Sequence, residues 1–471
     1  MLFNSFPFVL LVLITLAIYY NKHLEKYQIY VLIASSFVFY AYGQPLLLLL
    51  LLVSASINAI TSYKVYFENN LKRKKLYAVV GVVSNLAVLS IFKYSPLFGR
   101  MVSDFTSYES LGEFLVMVPL PVGISFYTFQ GISLVVDLYR SNRQSECPLF
   151  KVDKNFKKHY VDTIFFISFF PQLVAGPIVK AYQFYPQIHT KYFKDVNFEG
   201  AFKILILGYF LKMVIADNLK DQTFWMAYPY FESLSSLTLA TLLFGYSMQI
   251  FADFAGYSLI AIGVAKLYGY ELPKNFNFPY MSKSFSEFWS RWHISLSTWL
   301  KEYLYIPLGG NRRGSLRTYF NLSIVMLLGG LWHGAAWSYM VWGGYHGLLL
   351  AIERCISSYI KLPQNIFLDL LKITLVFSLV TLGWLLFKLP EFGQAVRYIL
   401  ALGGNFDMPH RKDVLMMIFF YSFPIMVYYA NYLMTQKTNK NYMNNSIVYA
   451  LLSLAIATNS GSSGEFIYFQ F

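Results

Sequence analysis

Charge is what this chain has least of. Asp, Glu, Lys and Arg make up 13% of its 471 residues, about half the ~25% usual in soluble globular proteins. With uncharged apolar runs recurring from end to end, that scarcity excludes a soluble enzyme and a secreted scaffold. Cys147 and Cys355 are the two cysteines, too few for a disulfide framework or a cysteine-based metal site. The sequence has no His-Glu-x-x-His, no Gly-x-Ser-x-Gly elbow and no Walker loop, so no metal centre, membrane hydrolase or ATP-driven pump is expected. It shows no repeat of roughly 20–50 residues. The longest polar intervals, residues 139–160, 178–199 and 389–413, are loops too short to fold alone.

What is present is apolar: 56% hydrophobic and 19% aromatic residues, with a mean hydropathy of +0.46. This is the composition of a polytopic membrane protein. Its net charge of +14 suits loops facing anionic lipid, and the scatter of basic residues between apolar runs makes nucleic acid a poor partner. The first run, residues 6–20, has no basic residue before it and no small-residue cleavage site after it, so it reads as a retained span. Lys22 and Lys26 follow it, placing the N-terminus outside. The loops then alternate between basic (Lys64 with Lys72–Lys75; Arg140 with Lys151–Lys158) and sparse or acidic (Gly43 and Gln44; Arg100 against Asp104, Glu109 and Glu113).

Beyond residue 160 the apolar pieces shorten and are interrupted by Gly, Pro and charge, as in re-entrant or broken helices. Residues 322–352 form a run of 31 without acid, Lys or Arg, more than the ~20 one crossing needs. Gly329, Gly330, Gly334, Gly343 and Gly344 offer break points. The expectation is an all-α polytopic fold of one domain, residues 1–471, with about 11 transmembrane helices plus re-entrant and interfacial pieces.

Seven histidines are present. His23, His159, His189 and His410 lie in polar stretches and read as surface residues. His333 lies within the uncharged run, in Gly329-Gly-Leu-Trp-His-Gly-Ala-Ala-Trp337. An ionisable group at membrane depth is costly and marks a functional candidate; the alternative is a neutral imidazole bonding between helices. His346, 13 residues later, reads as a helix-packing hydrogen bond. His293 lies where Phe285, Phe288, Trp292, Leu296 and Trp299 recur at spacings of three and four, an amphipathic helix in or near an interface. Arg291, Ser295 and Lys301 give it a polar patch, and the Leu308-Gly-Gly-Asn-Arg-Arg313 turn can approach phosphates through backbone N–H groups and the Arg312 and Arg313 guanidiniums. The tail, Phe466-Ile-Tyr-Phe-Gln-Phe471, is aromatic where a tail is usually polar. It reads as a plug, or as a means of seating the Tyr468 phenol in a cavity.

Leu331-Trp-His-Gly334 resembles the signature of the membrane-bound O-acyltransferases, MBOAT. Further resemblance is carried by Met1–Ser5, Pro121–Gln130, Phe169–Pro177, Gln249–Ser258, Asn275–Tyr280, Phe288–His293, Tyr305–Arg312 and the tail, almost the whole chain. It is closest to the bacterial branch that O-acetylates alginate or peptidoglycan. Ala252 and Ala255 depart from relatives that carry bulkier or hydroxylated residues there. The resemblance implies helices around a tunnel in the bacterial cytoplasmic (inner) membrane, with His333 as the family histidine and His293 as a second functional one. It implies transfer of acetyl from cytoplasmic acetyl-CoA to an extracytoplasmic polysaccharide, with an SGNH-type esterase/transferase as partner. On this reading His333 is a general base, Arg291, Arg312 and Arg313 attract the donor's phosphates, and Tyr468 relays the acetyl group. D-alanyl transfer to teichoic acid and transport without acyl chemistry are the alternatives.

Overall fold

The computed structural model describes residues 1–105, 108–141, 150–174, 176–360, 363, 365–462, 464 and 466–467. The described residues form helices and no strands, as a lipid environment demands of a chain that must satisfy its backbone internally. Among the described residues, five helices are long and apolar enough to cross a membrane: Leu47–Phe67, Leu71–Asp104, Ser236–Leu267, Ile366–Lys388 and Lys412–Thr438. A sixth crossing is made if the pair Phe6–Tyr19 and Lys22–Ala41, bent by 104°, is one broken span. The other expected crossings fall in helices too short or too polar to qualify on length and composition. Ser236–Leu267 differs from the rest, with 89% of its apolar window buried against 22–44% for the other four. It is a helix enclosed by protein rather than lipid.

Local signals set many boundaries. Ser5, Asn155, Asn365 and Asn445 each accept a backbone N–H from the first turn of the following helix, the arrangement that satisfies otherwise orphaned donors. The chain divides into two compact units, residues 1–202 with 260–273, and residues 203–259 with 274–471.

In the first unit, Phe3, Phe8, Phe39 and Phe170 form a buried aromatic cluster. Several polar groups at depth are paired. Asn58 and Asn85 exchange amide hydrogen bonds at 2.8 and 3.1 Å, and the Tyr19 hydroxyl donates to the Tyr268 carbonyl at 3.1 Å. His159, expected at the surface, is buried on the Phe156–Ser168 helix with Nε2 2.8 Å from the Ser62 hydroxyl. Its neighbours Lys157 and Lys158 lie on the same helix and are exposed, and the helix turns the imidazole inward.

In the second unit the uncharged run folds as a hairpin of two helices, Gly314–His333 and Trp337–Tyr359. The break falls after His333, at one of the expected glycines. A Cβ on Gly330 would collide with the backbone of Tyr339 and Gly343, and one on Gly343 with the backbone of Met326. Glycine is therefore what lets these two helices touch.

Candidate active site

His333 is the last residue of its helix, at the hairpin tip, and is 4% exposed. Its ring packs edge-on to Trp332, Trp342 and Phe387, with centroids 5.1–5.2 Å away. It lines a cavity of about 830 Å³ whose wall also includes Trp289, Ile294, Lys301, Tyr305, Trp342 and Arg354. That volume falls in the range of small-molecule sites. Lys301 and Arg354 are exposed and give the cavity a basic rim.

The expected amphipathic helix is two short helices, Phe285–Arg291 and Ile294–Leu300, with His293 between them. Phe285, Phe288, Trp292, Leu296 and Trp299 are all buried, so this apolar face packs into protein instead of anchoring to a membrane surface. Two contacts hold the start of the first helix. The Ser284 hydroxyl accepts from Glu287 N–H at 3.0 Å, and the Glu353 carboxylate, from the hairpin's second helix, accepts from the Phe285 and Ser286 N–H groups.

His293 has φ +42°. This left-handed conformation is uncommon for a side-chain-bearing residue and is sustained only where the surroundings enforce it. Asn275 supplies part of that enforcement: its carbonyl accepts Ile294 N–H at 2.9 Å, and its Oδ1 accepts the Ser295 N–H and hydroxyl at 3.2 and 2.9 Å. With Oδ1 an acceptor, the His293 Nδ1 facing it at 3.0 Å must be the protonated nitrogen. The other ring nitrogen, Nε2, then carries the lone pair. The two histidines share a neighbour, since the Trp332 ring lies 5.9 Å from His293 and 5.1 Å from His333.

Beyond His333 lies a second, smaller cavity of about 240 Å³, lined by Phe387 with Lys212, Asp217, Lys220, Gln249, Asp253, Lys388 and Ile467. Phe387 touches His333 with a ring separation of 5.1 Å, so this one ring contacts the histidine of the larger cavity and lines the smaller one. The end of the described chain sits here. Phe466 is fully buried against Tyr257, centroids 4.3 Å apart, and against Phe254, which in turn packs edge-on to His293 at 4.6 Å.

The expected phosphate-binding arginines are not in the wall of the larger cavity. Arg291 is engaged by Glu287, the Asn277 carbonyl and the Tyr432 hydroxyl. Arg312 and Arg313 are exposed on the Gly-Gly turn, where Gly309 and Gly310 take positive φ and Asn321 Nδ2 holds the Gly310 carbonyl at 2.9 Å. Tyr468 lies outside the described residues. His346 is buried among Phe288, Trp289, Trp342 and Tyr345; among the described residues neither of its ring nitrogens has a hydrogen-bond partner, so the expected packing bond is absent.

Sequence reasoning passed over Asn275, Arg354 and the charged trio Lys212, Asp217 and Asp253. Lys212 and Asp253 were visible as lone charges inside apolar runs, the signal that singled out His333.

A helical fold with apolar spans and a buried imidazole on a cavity wall has the features a membrane-embedded enzyme needs. Residues 36–389 match the family model of MBOAT, the membrane-bound O-acyltransferase family. The chain is 36% identical over 409 residues to the probable alginate O-acetylase AlgI of Pseudomonas aeruginosa, covering 85% of this chain and 75% of that protein. It is 35% identical over 394 residues to the peptidoglycan O-acetyltransferase of Helicobacter pylori, covering 79% and 73%. Similarity to the teichoic acid D-alanyltransferase of Bacillus subtilis is more distant, 31% over 285 residues, or 57% and 68% of the two chains. The chain belongs to the MBOAT family and is a membrane-bound O-acyltransferase; the transporter alternative falls with that membership.

Proposed function

We propose that this protein moves acetyl groups from cytoplasmic acetyl-CoA to an extracytoplasmic polysaccharide such as alginate or peptidoglycan, working as one transmembrane domain in the bacterial inner membrane. The observation that carries the reading is His333, which lines the larger cavity and touches Phe387 of the smaller one. On this reading the two hollows are the halves of a tunnel. About 11 crossings, counting broken and short helices, surround it with the N-terminus outside. The charged carrier then stays on its own side while the acyl group alone crosses.

The basic rim of the larger cavity suits the nucleotide phosphates. Lys301 and Arg354 are its nearest cations, with Arg312 and Arg313 on the adjoining turn and Arg291 turned away into its pair with Glu287. A hydroxyl is a weak nucleophile at neutral pH, and a positioned base contributes about 10²–10⁴ in rate. His333 takes the proton as the Tyr468 oxygen attacks the thioester carbonyl. The C–S bond breaks, coenzyme A leaves as the thiol with that proton, and the acetyl ester of Tyr468 remains. An acceptor hydroxyl, of the glycan or of an SGNH-type partner, then displaces the phenol. His293, with its lone pair on Nε2, positions a substrate by accepting its hydrogen bond or relays a proton.

A donor screen in reconstituted vesicles tests the reading. Acetyl-CoA is expected to yield free coenzyme A and transferred acetyl. Activity only with a D-alanyl carrier protein would replace the acetyl donor, a reading kept in view by the D-alanyltransferase similarity.

A further inference from the structure

The buried charge cluster of the smaller cavity is not used by the chemistry above. Lys212 lies on a π-helical segment, Phe210–Ala216, a distortion common at functional sites. Its ammonium pairs with Asp217 Oδ1 at 2.7 Å and Asp253 Oδ1 at 2.7 Å, all three side chains at 2–5% exposure. The second oxygen of Asp253 accepts the backbone N–H of Ile467 at 2.8 Å. One carboxylate thus joins a buried ammonium to the main chain of the tail, one residue before Tyr468.

The approach to that bond is built for close backbone contact. The Asn459 carbonyl accepts Asn218 Nδ2 at 3.1 Å, Gly461 N–H donates to the Met213 carbonyl at 2.9 Å, and the Ser462 hydroxyl reaches Asp221 at 3.2 Å. A Cβ on Gly461 would lie 2.7 Å from Asn218 N, and one on Gly464 would lie 2.9 Å from Lys220 Nζ. Gly461 lets the strap lie against the segment that carries Lys212 and Asp217, whereas at Gly464 the nearest atom is the movable end of Lys220.

We infer that Asp253, held by Lys212, is the anchor of the C-terminal strap and fixes the register in which the tail enters the smaller cavity. Its consequence for catalysis rests on the Tyr468 relay proposed above; the anchor itself does not. Asp253 is a positioning residue: its carboxylate holds the main chain and takes no part in the bonds made or broken.

The test uses the full chain in lipid nanodiscs with four variants. Ile467→Pro removes the donating N–H and leaves the charge cluster intact, whereas Ile467→Ala keeps it. Asp253→Ala removes the acceptor, whereas Asp253→Asn keeps an acceptor oxygen. The first readout is amide exchange of the C-terminal peptide, and the second is acetyl on Tyr468, by mass spectrometry after incubation with acetyl-CoA. Exchange at least tenfold faster in Ile467→Pro and Asp253→Ala, but not in their paired controls, supports the anchor. A parallel loss of acetyl on Tyr468 extends it to the relay. Unchanged exchange in Ile467→Pro overturns the anchor. Faster exchange in a protein whose wild type never carries acetyl on Tyr468 upholds the anchor and removes the relay. Should Asp253→Ala fail to fold, Ile467→Pro decides alone.

Discussion

His293 shows at the scale of a residue how backbone and chemistry can be separated. Its left-handed backbone is a conformation that glycine adopts without penalty. If the residue were only a conformational pivot, His293→Gly would preserve both fold and turnover. The account instead expects His293→Gly to lower the melting temperature, because it empties a buried site packed on Phe254 and bonded to Asn275, and acyl transfer per folded protein to drop at least about tenfold, near the low end of what a positioned polar group contributes. Asn275 acts through the same ring. Asn275→Ala frees His293 Nδ1 and the Ser295 donors, and the expected result is a fall in kcat with little change in donor KM. A rise in KM alone would assign Asn275 to the binding surface instead.

The hairpin is the element on which the site depends, and its glycines are not equivalent. A Cβ on Gly330 or Gly343 meets backbone of the facing helix, while one on Gly344 meets only the Leu327 side chain at 3.4 Å. Gly330→Ala is therefore expected to lower the yield of monodisperse protein and the melting temperature, with Gly344→Ala close to wild type; equal behaviour of the two would contradict the packing described. Glu353 ties the hairpin to the helix that precedes His293. Glu353→Ala leaves two N–H groups at a helix start without their acceptor, a loss of about 1 kcal/mol that thermal unfolding can register.

Much of this was legible in sequence. The excess length of the uncharged run and its glycines announced a broken helix, and the isolated imidazole drew attention to a residue that lines a cavity. The spacing of Phe285, Phe288, Trp292, Leu296 and Trp299 gave an apolar face but not what that face meets, because a face against protein and a face against lipid have the same periodicity. The kink at His293 was hidden for a related reason, since nothing in its local pattern separates a histidine in a left-handed turn from one inside a helix.

Across the whole molecule, the pattern of apolar runs was legible and the number of crossings was not. Helices enclosed by protein tolerate charge and brevity that a lipid-facing span does not. Ser236–Leu267 is long, largely buried and carries Asp253, while the shorter pieces cannot be counted as crossings by composition. The arginines expected at the donor's phosphates show a second limit of sequence. Sequence proximity favoured Arg291, Arg312 and Arg313, but folding brings Lys301 and Arg354, 53 positions apart, to one rim. Charge reversal there, Lys301→Glu with Arg354→Glu, is expected to raise the KM for acetyl-CoA and to flatten its dependence on salt, because the attraction of phosphates to a basic rim is screened over about 8–10 Å at physiological ionic strength. A KM unmoved by the reversal would place the donor elsewhere.

The central claim, that the His333 imidazole activates the attacking oxygen between the two cavities, is tested most directly by a single-turnover measurement. Radiolabelled acetyl-CoA is presented to the cytoplasmic face of proteoliposomes holding wild type or His333→Ala, matched for folded protein, and label leaving the thioester is followed in time. The account predicts a rate lower by about 10² or more in His333→Ala, with donor binding retained. Label transferred at the wild-type rate by that variant would contradict it.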